Sequence, residues 1–121
     1  MTLSIQAFPG GELETNTFLV ADTETGDAIV IDAAEGVTAA VTAALKEQGL
    51  TARSIVLTHT HWDHIADAAE MQRTLNVPLI ANAYATQLFG DASGRIAARG
   101  REGIAPFAPS GALHAADSLD V

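Results

Sequence analysis

Cysteine is absent from the 121 residues. That excludes disulfides, thiolate metal ligands and a cysteine nucleophile, and it fits the reducing cytosol. Basic residues are scarce: six Lys and Arg stand against fifteen Asp and Glu, a formal charge of −9. So acidic a chain lacks the electrostatic footprint for nucleic acid or an anionic membrane surface. Anionic substrates stay open, because a bound cation inverts the local field. No apolar run approaches the roughly 20 residues that cross a bilayer. The opening Met1-Thr2-Leu3-Ser4-Ile5-Gln6 alternates like a strand and does not resemble a charged-then-apolar leader. The expectation is a soluble, cytoplasmic protein. What the chain does have is hydrophobic bulk, 48% of residues and rich in alanine and small aliphatics, enough for one packed domain over residues 1–121.

Periodicity predicts an α/β chain. Leu3, Ile5 and Ala7 alternate with polar neighbours as a half-buried strand, ended by Pro9-Gly10-Gly11. Residues 17–21 and 28–31 form a hairpin around the polar turn 22–27, with Asp32 at its end. Val37, Ala40, Val41, Ala44, Leu45 and Gln48 fall on one helical stripe with Thr38, Thr42, Lys46 and Glu47 outside it, and Gly49 terminates the helix. Residues 53–58 are a nearly apolar strand of the kind covered on both faces. A second helix is predicted over 66–75, with Ala68, Met71 and Leu75 on one side, then a short strand over 77–81 and a short helix over 84–89. Beyond Gly90 the pattern weakens to loops, with a further strand expected near Leu119 and Val121. Strand alternating with helix is the α/β signature, and open α/β sheets carry their sites beyond the carboxyl ends of the strands.

The chain's chemistry is concentrated at one such end. Three of its four histidines lie in His59-Thr60-His61-Trp62-Asp63-His64, directly after the strand 53–58. Imidazole and carboxylate are ligands of borderline divalent metals such as zinc. In an extended segment side chains two apart point the same way, so His59 and His61 can converge on one ion. Asp63 and His64, past the bend, can serve a neighbouring one. The alternative is a solvated polar loop that happens to be rich in histidine.

The His-x-His-x-Asp-His pattern of residues 59–64 resembles the signature of the metallo-β-lactamase fold superfamily. Asn16-Thr17-Phe18-Leu19, Ile29-Val30-Ile31-Asp32 and Val77-Pro78-Leu79-Ile80-Ala81 resemble the strands that surround it there. The short hairpin entry is most similar to the glyoxalase II branch, whose members hydrolyse thioesters. The resemblance covers most of residues 2–90. It implies the amino-terminal half of a four-layer αββα sandwich: a mixed sheet with helices on one face. It implies zinc, one or two ions, with iron as the other candidate. His59 and His61 would hold the first ion, Asp63 and His64 the second, with Asp63 as catalytic residue orienting the water. The implied activity is hydrolysis of a small-molecule acyl thioester, of the hydroxyacylglutathione type, by metal-bound hydroxide. Two alternatives are a mononuclear iron sulfur dioxygenase and a catalytically silent metal-binding module.

Departures from the family pattern sharpen the expectations. Ala66 and Asp67 stand where the family often has a glycine pair, and Ala33-Ala34 where it often has Pro-Gly. The family's three further ligands, a histidine, a bridging aspartate and a last histidine, have no match: His114 reads as a surface histidine, and Asp117 and Asp120 as turn residues. The expectation is therefore an incomplete domain, whose open sheet face a second copy of the chain would cover as a homo-oligomer. Asp32 is a candidate either for supporting a ligand imidazole or for capping the helix that begins near Val37. Trp62 and Tyr84 are read as packing residues or pocket walls. Gly10-Gly11 is a plain turn or a mobile flank of the site. Arg95, Arg99 and Arg101 are solvated or meet an anionic substrate tail.

Overall fold

In the computed structural model, residues 2–58, 61–82 and 111–113 are described. Strand β1 (Leu3–Gly10) pairs antiparallel with β2 (Thr15–Asp22) in unbroken register, from Leu3 opposite Asp22 to Gly10 opposite Thr15. The turn between them, residues 11–14, closes with the Glu14 amide on the Gly11 carbonyl at 3.1 Å, both residues having positive φ. Strand β3 (Asp27–Ile31) continues the meander antiparallel to β2. Helix α1 (Thr38–Gln48) then carries the chain to β4 (Thr51–Val56), which runs parallel to β3. After the histidine segment come α2 (Trp62–Ile65) and α3 (Ala68–Leu75), then β5 (Leu79–Asn82) and β6 (Gly111–Leu113), each parallel to the strand before it. The described strands form one six-stranded mixed sheet in the order β1 to β6.

The pairing explains which side chains are inside. Leu19, Val30, Ile55 and Leu79 lie opposite one another across four strands, so they share one face of the sheet, and all four are fully buried. Val41, Ala44 and Leu45 of α1, Ala68 and Met71 of α3, and Ile65 complete that core. This is the α/β arrangement expected, with the helical layer against one face. On the other face Ile5 opposes Val20, and Ala7 opposes Phe18. There the hairpin is open: Leu3, Ile5 and Phe18 are exposed.

Local differences from expectation have local causes. Pro9 and Gly10 do not end β1, because an edge strand tolerates a proline whose missing amide faces outward. The expected helix over 66–75 is split: residues 62–65 already form a helical turn, and α3 starts only at Ala68. The one strand described in the last part of the chain is at Gly111–Leu113. The helix expected at 84–89, the strand expected near Leu119 and Val121, and His59, Tyr84, Arg95, Arg99, Arg101, His114, Asp117 and Asp120 lie outside the described residues.

Candidate metal centre

The site stands at the carboxyl ends of β3 and β4, where the parallel pair stops and the chain turns twice. At the end of β3 the Asp32 amide still donates to the Val56 carbonyl at 2.8 Å, but its φ is +65°. Few side chains other than Asn and Asp enter this left-handed region readily. The turn aims the carboxylate across the end of β4, where the Thr58 amide donates to Oδ1 at 2.7 Å and the Thr58 hydroxyl donates to Oδ2 at 2.7 Å. Oδ2 also meets Nδ1 of His64 at 2.7 Å. Asp32 therefore holds the His64 imidazole and does not cap α1.

At the end of β4 the chain reaches His61, whose backbone is extended, and then turns into α2. That step brings Asp63 back beside it: His61 Nδ1 lies 2.7 Å from Asp63 Oδ1. The other carboxylate oxygen accepts the hydroxyl of Thr15, at the start of β2, and lies 3.4 Å from His64 Nε2. Trp62, between these residues, is buried, so it packs under the turn.

The two turns are laced together from behind. The Ala33 amide donates to the His64 carbonyl at 2.8 Å, and the Asp67 amide donates to the Ala33 carbonyl at 3.0 Å. Asp67 directly precedes α3, where a carboxylate ordinarily caps its own helix. Here it reaches across instead. It accepts from the Gly36 amide at 2.9 Å, and from the Thr38 amide and hydroxyl at 3.1 and 2.7 Å. A buried carboxylate thus sits at the amino end of α1, where the helix dipole favours negative charge. The Ala34 amide donates to the Thr17 hydroxyl at 2.8 Å, so β2, the 33–37 loop and the motif turn are fixed to one another.

Chemically this is a set of oriented nitrogen and oxygen donors. Where a neutral imidazole donates its Nδ1 proton to a carboxylate, its Nε2 is left with the lone pair a cation needs. Asp32 stands at Nδ1 of His64, and Asp63 at Nδ1 of His61, where a carboxylate fixes the orientation of the ring. Burial alone would push the Asp63 carboxyl up. The Thr15 hydroxyl, the His61 ring, the neighbouring His64 and the Asp63 backbone outweigh it and hold the group below the usual carboxylate range. Asp63 is thus an acceptor at neutral pH. Among the described residues no three donors form a closed cage. By donor type alone, His61, Asp63 and His64 are side chains that a divalent cation accepts.

Thr15, Thr58 and Asp67 were not singled out by sequence reasoning. The only signal for Asp67 was a carboxylate in place of an expected glycine. Thr15 and Thr58 carried none, since their partners are distant in sequence.

The family model of the metallo-beta-lactamase superfamily matches residues 10–118. An uncharacterized protein of Mycobacterium bovis is 32% identical over 74 residues, 61% of this chain and 33% of that protein. A hydroxyacylglutathione hydrolase of Rhodopseudomonas palustris is 39% identical over 64 residues, 53% of this chain and 24% of that enzyme. The matched stretch thus spans a third or less of either relative. Among solved structures, the B3 metallo-beta-lactamase BLEG-1 superposes with a TM-score of 0.73 at 22% identity, covering 98% of this chain and 56% of that one. That likeness is one of fold.

Proposed function

This chain belongs to the metallo-beta-lactamase superfamily, and on that premise we propose that it is the metal-binding part of a metal-dependent hydrolase acting on acyl thioesters, of the hydroxyacylglutathione type. The observation that carries the reading is the pairing of each described imidazole with a carboxylate: His64 with Asp32, and His61 with Asp63. The likeness to a hydroxyacylglutathione hydrolase supports the substrate class.

His59, His61, Asp63 and His64 are the proposed ligands, for zinc first and iron as the alternative. A bound divalent ion supplies Lewis acidity, polarising a carbonyl and making water more acidic. The protein's own residues do the rest. Asp32 holds the His64 ring at its Nδ1 and so fixes the direction of Nε2. Asp63, held ionised, accepts a proton from water and orients it toward the acyl carbon. The buried lacing behind them keeps these groups from relaxing when charge moves.

The test is zinc titration of the full chain, with release of free thiol from a hydroxyacyl-glutathione thioester measured in parallel. Zinc-dependent thiol release that disappears in His61→Ala and falls by about 100-fold or more in Asp63→Asn is expected. Zinc binding with no turnover would leave a silent metal-binding module, and iron with oxygen uptake would make the chain a dioxygenase. Hydrolysis surviving His61→Ala would belong to another site.

A further inference from the structure

We propose that Thr15 is a positioning residue of the metal centre: its hydroxyl sets the rotation of the Asp63 carboxylate and so decides which oxygen lone pairs Asp63 offers a cation. This rests on the reading of Asp63 as a ligand.

Asp63 lies on a helical turn of only four residues, α2, and is partly buried. Within so short an element only its own backbone amide meets the carboxylate, and the terminal torsion is broad for aspartate in general. Two side chains restrain it instead, one on each oxygen. His61 holds Oδ1 and Thr15 holds Oδ2. Only the second is independent of the ligand set. His61 is itself a candidate ligand, and its ring nitrogen and Asp63 Oδ1 have other work to do once a cation arrives. Thr15 comes from β2, 48 residues earlier, and is buried.

Its position is determined by rigid structure. It opposes Gly10 at the last pair of the β1–β2 ladder, immediately after the turn 11–14. Gly10 in turn is pressed against the 34–37 loop: a Cβ there would come within 2.5 Å of the Glu35 carbonyl oxygen. The hairpin end is thus fixed against the loop that also holds Asp32 and Ala33, and Thr15 carries that placement to Asp63. A hydroxyl has one proton. Donating it to Oδ2 occupies one lone pair of that oxygen. The same oxygen lies 3.4 Å from His64 Nε2, a separation at which a carboxylate oxygen and an imidazole nitrogen can share one cation. Hydrogen bonds to a charged acceptor are the stronger kind, and support of this sort behind a metal ligand commonly changes affinity by 10–100-fold.

The experiment compares wild type with Thr15→Val, which keeps the shape and removes the hydroxyl, and Thr15→Ser, which keeps the hydroxyl. Zinc affinity is read by chelator competition, the cobalt-substituted forms by their visible absorption bands, and folding by urea midpoint. The expected result is a loss of about 10-fold or more in zinc affinity for Thr15→Val, with displaced cobalt bands, and recovery of both in Thr15→Ser. Should the valine variant fail to fold, Thr15→Ala carries the same comparison. Wild-type affinity and an unaltered cobalt spectrum in a folded variant without the hydroxyl would overturn the proposal and leave Asp63 as a ligand. Absence of zinc and cobalt binding by the wild type would overturn both.

Discussion

At the scale of the residue, the candidate centre depends on carboxylates that work away from their own segments. Asp32 and Asp67 lie in loops, yet each is buried and satisfies donors brought from elsewhere. Removing one leaves buried donors without acceptors, a cost of about 1–3 kcal/mol for each group stranded. Asp67→Ala is therefore expected to lower unfolding free energy by about 2–6 kcal/mol, since it strands two buried donors, the Thr38 amide and hydroxyl, while the exposed Gly36 turns its amide to water. Urea denaturation measures this, and a loss under about 0.5 kcal/mol, typical of a surface change, would show that water replaces the carboxylate. The clustering of His61, Asp63 and His64 was legible because it is decided within four residues of sequence. The roles of Thr15, Thr58 and Asp67 were not, because each is decided by a partner that only the folded sheet brings near.

Elements were legible to the extent that their signals were periodic. The termination of α1 at Gly49 needed only local residues, and the structure shows Gly49 left-handed with its amide on the Leu45 and Lys46 carbonyls. Of the expected stripe Ala40 and Gln48 are exposed, while Thr38, expected outside it, is buried because Asp67 holds its amide and hydroxyl. The break between α2 and α3 could not be read that way. It is made by the Asp67 amide and the His64 carbonyl, both drawn to Ala33. Two glycines separate conformational from steric demand. Gly49 has positive φ and open space around it, so Gly49→Ala should cost about 1–2 kcal/mol from backbone strain alone. Gly10→Ala meets a carbonyl oxygen and the Val37 and Ala34 side chains, so it should cost more and also displace the 34–37 loop. Thermal melts of the two variants check the order. Equal losses would mean the loop yields freely.

For the whole molecule, the two faces of the sheet predict opposite responses to one kind of change. Leu19 is fully buried in the row shared with Val30, Ile55 and Leu79, and Leu19→Ala should destabilise by about 2–5 kcal/mol. Ile5, 67% exposed on the opposite face, should lose under about 1 kcal/mol on the same truncation. Denaturant midpoints of both variants decide this. A large loss at Ile5 would reveal that its face is covered in solution. The α/β architecture was readable from strand and helix alternation, and so was the place of the histidine motif just beyond a strand end. The openness of the β1–β2 hairpin face was not readable from alternation, since Leu3 and Ile5 have the spacing of any half-buried strand.

The distances in sequence between the bonded groups also bear on how the protein is made. Thr15 and Asp32 leave the ribosome early, whereas their partners Asp63 and His64 follow 48 and 32 residues behind. During synthesis the β1–β2–β3 meander can pair before any of the cleft exists. A chain arrested short of residue 67 would hold the early half of each clasp and none of the later half. Any uptake of metal by the proposed centre is accordingly a late event in biogenesis, following translation of the motif and never guiding the first strands together.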